Sequence, residues 1–193
     1  MPSPSARVPP VTVHNLGSIN VDYVYRVPHL VRPGETLSSR ALETVLGGKG
    51  ANQSVALARA GARVRHVGRL GAGDGWAREA LAEAGVDVSA VELVDGSSGH
   101  AIIQVDDGGE NAIVLHGGAN HALDAAAIRA ALEPATDGER LLLQNETGGV
   151  AEAFGIALER GLRIAFNPAP MSETVRTLPL ERCDTLILNE TEA

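Results

Sequence analysis

Short apolar runs alternate with helical periodicities along this chain. Residues 11–16, 64–70, 141–143, 162–166 and 185–188 read as buried strands. Residues 51–60, 76–84, 125–132 and 150–160 read as helices with an apolar face. Strand and helix in alternation predict an α/β domain, a mostly parallel sheet with helices on both faces. Ligands of such sheets bind outside the carboxyl ends of the strands. Two stretches break the alternation. Residues 23–46 are extended where a crossover helix is expected, and residues 101–115 read as a hairpin turning at Asp106-Asp107-Gly108-Gly109. They predict a small second sheet, inserted at about 23–46 and 99–116 into a domain spanning residues 11–193. A small sheet cannot bury both faces alone, so it covers a cleft, meets a second subunit, or both.

Composition narrows the class. Apolar residues make up 44% of the 193 positions but aromatics only 3%, so Ala, Val, Leu and Ile must build the core. The net charge of -8, with no basic cluster, argues against nucleic acid or an anionic membrane surface as partner. One cysteine, Cys183, permits no intrachain disulfide and fits a reducing compartment. No apolar run is long enough to span a bilayer. Residues 1–10 lack the apolar core of a signal peptide and read as a disordered leader. The expectation is a cytoplasmic protein.

Candidate chemistry starts at Lys49, the single lysine in a chain whose other basic side chains are arginine. It lies in Gly47-Gly48-Lys49-Gly50-Ala51-Asn52, just before a helical pattern. Glycines let backbone approach a bound molecule closely, and a helix start offers N–H groups to a polar ligand. A tight strand-to-helix turn with a solvated lysine is the plain alternative. Gly17-Ser18-Ile19-Asn20-Val21-Asp22 follows the first strand. Asn20 and Asp22 point to the same side of an extended segment, and an amide beside a carboxylate suits vicinal sugar hydroxyls. An Asx-type turn explains them equally well. Glu146 also follows a strand, though a loop glutamate pointing to water is the usual case. Gly71-Ala72-Gly73-Asp74 looks like an anion-binding turn, but Asp74 at a helix start accounts for it. The chain has no G-x-G-x-x-G, Walker A or G-x-S-x-G pattern, and its six histidines show no zinc spacing.

The chain stops at Asn189-Glu190-Thr191-Glu192-Ala193, an N-x-x-E pattern like a capping box that announces a helix. The expectation is a chain cut short.

Seven segments, in order, resemble the ribokinase family of sugar kinases, the PfkB-type carbohydrate kinases. They are Gly17–Asp22, Pro33-Gly34-Glu35-Thr36, Gly47–Gln53, Gly109-Glu110-Asn111, Gly118-Ala119-Asn120, Asn167-Pro168-Ala169-Pro170 and the Asn189–Ala193 end. Ribokinase members match better than fructokinase or adenosine kinase ones. The resemblance implies a three-layer α/β/α domain with a β-sheet lid through which two subunits pair as a homodimer. It implies sugar contacts at Asn20, Asp22, Gly48, Lys49, Asn52 and Glu146. It implies that Asn189 lies near the nucleotide phosphates and that Glu192 acts through water on magnesium. It implies ATP and Mg2+, with K+ in a site outside this chain, and phosphorylation of a sugar primary hydroxyl, D-ribose first. The family's catalytic base lies in a second Gly-Ala-Gly-Asp near the C-terminus. That region is not in this chain, which covers about the first two thirds of the family's domain. No catalytic residue is therefore assigned, Asp74 is not taken for the base, and the 193-residue chain alone is expected to be inactive. A non-catalytic sugar-binding or subunit-interaction chain, or a kinase for a nucleoside or another sugar, are the alternatives.

Overall fold

The structure, a computed structural model, describes residues 11–190. Among the described residues are fifteen strands and α-helices; the main-sheet strands and the four helices read from the apolar pattern are present with boundaries shifted by a residue or two, while β5 and α5 were not expected. In chain order they are β1 (Thr12–Leu16), β2 (Asn20–Arg26), β3 (Ala41–Gly47), α1 (Lys49–Arg59), β4 (Arg63–Gly71), α2 (Gly75–Glu83), β5 (Asp87–Val94), β6 (Gly99–Val105), β7 (Asn111–His116), α3 (Ala125–Ala131), β8 (Arg140–Gln144), α4 (Val150–Glu159), β9 (Arg163–Asn167), α5 (Glu173–Arg176) and β10 (Thr185–Leu186).

Six strands form one sheet in the order β10-β9-β8-β1-β4-β5, and every pairing in it is parallel. Side chains alternate between its two faces, and the core divides accordingly. On β4, Val64 and Leu70 join Ile19, Ala51, Ala77 and Leu81 beneath α1 and α2. Val67, from the same strand, joins Leu16, Leu141, Leu143, Phe154 and Phe166 beneath α3 and α4. The rings of Phe154 and Phe166 meet edge to face at 5.3 Å. β5 was not expected from the sequence: its apolar residues are spaced among Asp87, Ser89 and Glu92, and only Ala90 and Val91 are buried. No helix among the described residues is long and apolar enough to cross a membrane.

The remaining four strands form a separate sheet, β3-β2-β6-β7, with β2 antiparallel to β3 and parallel to β6. This is the small sheet expected from the two extended stretches, and it begins at Asn20 rather than Tyr23. Leu42, Val45, Ile102, Ile113, Val114 and Leu115 leave apolar surface exposed on both its faces. Strand order in the main sheet reverses at β1, whose neighbours are β8 and β4. The carboxyl ends of β1 and β8 therefore flank a topological switch point, where open α/β sheets bind ligands.

Candidate functional site at the sheet–lid crossing

The chain leaves β1 through Gly17-Ser18-Ile19, enters the lid at Asn20, and returns from β3 through Gly47-Gly48 into α1. Outgoing and returning backbones touch. A Cβ on Gly50 would lie 2.5 Å from Gly17, and one on Gly47 would fall 2.0 Å from the Asp22 carboxylate. Gly48 has φ of 90°, a conformation other residues rarely adopt. The glycines thus bring three chemical groups together: the Asn20–Asp22 pair, the α1 N-terminus, and Glu146 beyond β8.

Glu146 is held at this crossing by Ser18 and Lys49. Ser18 Oγ donates to its Oε2 at 2.6 Å, and the Lys49 backbone N–H donates to the same oxygen at 3.1 Å. The Lys49 ammonium pairs with Oε1 at 3.1 Å. The first N–H groups of α1 are therefore occupied, contrary to the expectation that they await a ligand. Lys49 serves Glu146, Gly50 donates to Ser18 Oγ at 3.2 Å, and Ala51 donates to Ser18 O at 2.9 Å. A carboxylate at a helix N-terminus is favourably placed against the helix dipole.

Asp22 is less well served. Its Oδ1 is buried without a hydrogen-bond partner. Burial raises its pKa above the ordinary carboxylate value, and the nearby Glu146 charge raises it further. A hydroxyl donating to Asp22 Oδ1 would give that oxygen the partner it lacks and favour the ionised form. Asn20 is buried and lines a cavity of about 220 Å³ with Asn120, His116, His121, Asn145 and Glu146.

The structure thus brings Asn20, Asp22, Gly48, Lys49 and Glu146 to one place. Asn52, one turn along α1 from Lys49, is exposed beside Leu46, Val55 and Ala80 and does not line that cavity. Asn189 is exposed after β10, and Glu192 lies outside the described residues. Asp74 accepts from Ser98 Oγ at 2.6 Å, and that hydroxyl in turn accepts the Gly71 N–H at 2.9 Å. The Gly71–Asp74 turn thereby anchors the entry to β6. Among the described residues no cluster of three or more His, Cys, Asp or Glu could hold a metal ion.

Sequence reasoning missed Ser18, which sits inside a motif already singled out. It also missed a buried chain of polar groups under the crossing. Asn15 Nδ2 donates to Gly50 O and to Ser54 Oγ, both at 2.8 Å. Ser54 donates to His66 Nδ1 at 2.8 Å, and His66 Nε2 donates to Gly17 O at 3.1 Å. The carbonyl at the far end only accepts, so Nε2 carries a proton, and burial of the ring favours the neutral form with Nδ1 as acceptor. Burial pushes its pKa down to about 4, partly opposed by the Gly17 hydrogen bond. The signal was Asn15 itself, a polar residue inside a run read as a buried strand.

The model of the pfkB family carbohydrate kinases matches residues 12–193. A ribokinase of Haemophilus influenzae is 38% identical over 187 residues, covering 94% of this chain and 61% of its own length. The crystal structure of a ribokinase from Cryptococcus neoformans in complex with ADP is 39% identical, with a TM-score of 0.80 over 95% of this chain and 59% of that one. The Arabidopsis thaliana ribokinase complexed with ribose and ATP is 29% identical, with a TM-score of 0.76 over 96% of this chain and 62% of that one. The chain spans about three fifths of the length of these three relatives. With its parallel sheet, its lid and the family match along residues 12–193, the chain belongs to the pfkB family of carbohydrate kinases.

Proposed function

We propose that this chain forms the sugar-binding part of an ATP-dependent carbohydrate kinase whose substrate is D-ribose and whose product is ribose 5-phosphate. The observation that carries the reading is the Asp22 carboxyl. One of its oxygens is buried and unpartnered, it lies two residues from Asn20, and Glu146 is near enough to raise its pKa. A polyol is the ligand class that satisfies such a set, since each hydroxyl both donates and accepts. Ribose is the first candidate because relatives of the same architecture are ribokinases, one of them complexed with ribose and ATP.

In this reading Asn20, Asp22 and Glu146 orient the sugar. Lys49 and Ser18 hold Glu146 in place, and the lid strands β2 and β6 cover the ligand. Positioning and electrostatic stabilisation are where such kinases gain most of their rate. ATP is the phosphoryl donor, and magnesium enters with its phosphates, with Glu192 acting on it through water. Asn52 and Asn189 are kept as further candidate contacts, to sugar and nucleotide respectively. No described residue is assigned to K+. The exposed apolar lid residues Val45, Ile113 and Leu115 are the proposed contact with a second copy. A cytoplasmic location completes the proposal.

The test is to incubate the purified protein with D-ribose and MgATP and follow sugar phosphate by 31P NMR. A signal lost in Asp22→Ala supports the kinase. Ribose binding without turnover restricts the chain to sugar binding. Turnover indifferent to Asp22 and Glu146 contradicts the assignment of the site.

A further inference from the structure

Asn120 is 2% exposed and lies in the return crossing from the lid, 100 positions along the chain from Asn20. Both ends of its amide are committed. One end accepts the Ile19 backbone N–H at 2.9 Å. A backbone N–H only donates, so that end is Oδ1 and the other is Nδ2. Asn120 Nδ2 then donates at 2.8 Å to Asn20, whose facing atom is fixed as Oδ1. Asn20 Oδ1 is thus turned toward Asn120, and its Nδ2, with two N–H donors, makes no hydrogen bond within the described residues. Asn20 and Asn120 both line the cavity that contains Glu146.

The pair is built into the lid. Gly99 stands opposite Asn20 in the β2–β6 register. A Cβ there would lie 2.0 Å from Asn120 Nδ2 and 2.6 Å from Asn20 Oδ1. Around the same crossing Asp22 and Glu146 offer acceptors when ionised, and Asp22 Oδ1 is without a partner.

We propose that Asn120 is a positioning residue that sets the hydrogen-bond polarity of the sugar site. It locks Asn20 as a donor, so that the donor Asn20 and the acceptor Asp22 read one hydroxyl group that must accept and donate together. This rests on the sugar-binding reading above. It goes further in assigning the specificity for a hydroxyl, against a hydrogen at the same carbon, to a residue that acts through another. A site made to hydrogen-bond a hydroxyl rejects the analogue lacking it, because its own buried groups are left unpaired.

The variant that reads this is Asn120→Asp. The introduced carboxylate still accepts from Ile19 but now faces Asn20 with an acceptor. Asn20 must turn its Nδ2 toward it and present Oδ1 to the cavity. Calorimetry on the purified chain, with D-ribose and the set of monodeoxyriboses, measures the consequence. In the wild type, removal of one particular hydroxyl is expected to weaken binding by about tenfold or more. In Asn120→Asp, D-ribose affinity falls about tenfold and that deoxy penalty shrinks toward one. Wild-type affinity with an unchanged deoxy penalty overturns the proposal. A second measurement stands if the variant does not fold or the wild type binds no ribose, the latter result removing the sugar reading alone. In 15N-labelled wild-type protein, the side-chain amide protons of Asn20 should exchange rapidly with water while those of Asn120 are protected. The reverse pattern overturns the assigned polarity.

Discussion

Leu141, Leu142 and Leu143 of β8 are buried, whereas Ile113, Val114 and Leu115 of β7 are each more than half exposed. Both segments are apolar runs at strand spacing, yet one builds the core and the other builds a surface. The difference lies in what covers them. Every strand of the main sheet can be reached by helices from βαβ crossovers, and α3 and α4 close over β8 and β9. Within the lid a loop joins β2 to β3 and a turn joins β6 to β7, and neither connection carries a helix. The main sheet is stabilised by its own burial. The lid's apolar surface yields stability only when something meets it, and the proposed function supplies a sugar at the Asp22 end and another copy beyond.

The largest effect should come from breaking the core side of this contrast. Phe166 is fully buried against Phe154, and Phe166→Ala should destabilise the fold by about 3–5 kcal/mol. Ile113→Ala on β7 should change the stability of the isolated chain by no more than about 0.5 kcal/mol. Urea unfolding of both variants measures the pair, and equal losses would erase the distinction between the sheets.

The next effect is one of pH and belongs to the crossing between the sheets. His66 stays neutral in the folded state down to about pH 4, while the unfolded chain takes up its proton near 6.5. The group's contribution is therefore complete above pH 6.5 and is lost as the pH falls toward 4. The loss should reach about 3 kcal/mol. Chemical denaturation across pH 4–7 follows it, and His66→Gln should flatten that part of the profile. A wild-type profile already flat there would mean that His66 is not held neutral.

The smallest effect on the fold should accompany a clear one on assembly. Ile113→Arg and Leu115→Glu place charge on the lid face proposed to meet a second copy. Sedimentation velocity should show a dimer in the wild type and a monomer in the variants, with little change in melting temperature. A monomeric wild type at micromolar concentration would leave that face to the ligand alone.

Much of the main sheet was legible because burial writes a simple pattern: residues 141–143 and 162–166 are near-continuous apolar runs, as parallel strands buried on both faces should be. β5 was not legible, since an edge strand with Asp87, Ser89 and Glu92 carries too weak an apolar signal. Asn20, Asp22, Lys49 and Glu146 could be singled out by residue type beside glycines and strand ends. What holds them could not. Ser18 on Glu146, Asn120 on Asn20 and His66 on Gly17 are contacts across 128, 100 and 49 positions, and no local spacing encodes them. Nor did the sequence disclose that the α1 N–H groups are already taken, because their partners come from Ser18 and Glu146.

The central claim is that the crossing of the two sheets is a sugar site organised around Asp22. Calorimetric titration of D-ribose into the purified protein and its Asp22→Ala variant tests it most directly. The account predicts saturable one-site binding by the wild type. It predicts a loss of about 1.5–3 kcal/mol in the variant, whose circular dichroism stays unchanged. Equal ribose affinity in the two proteins, or no binding by the folded wild type, would contradict it.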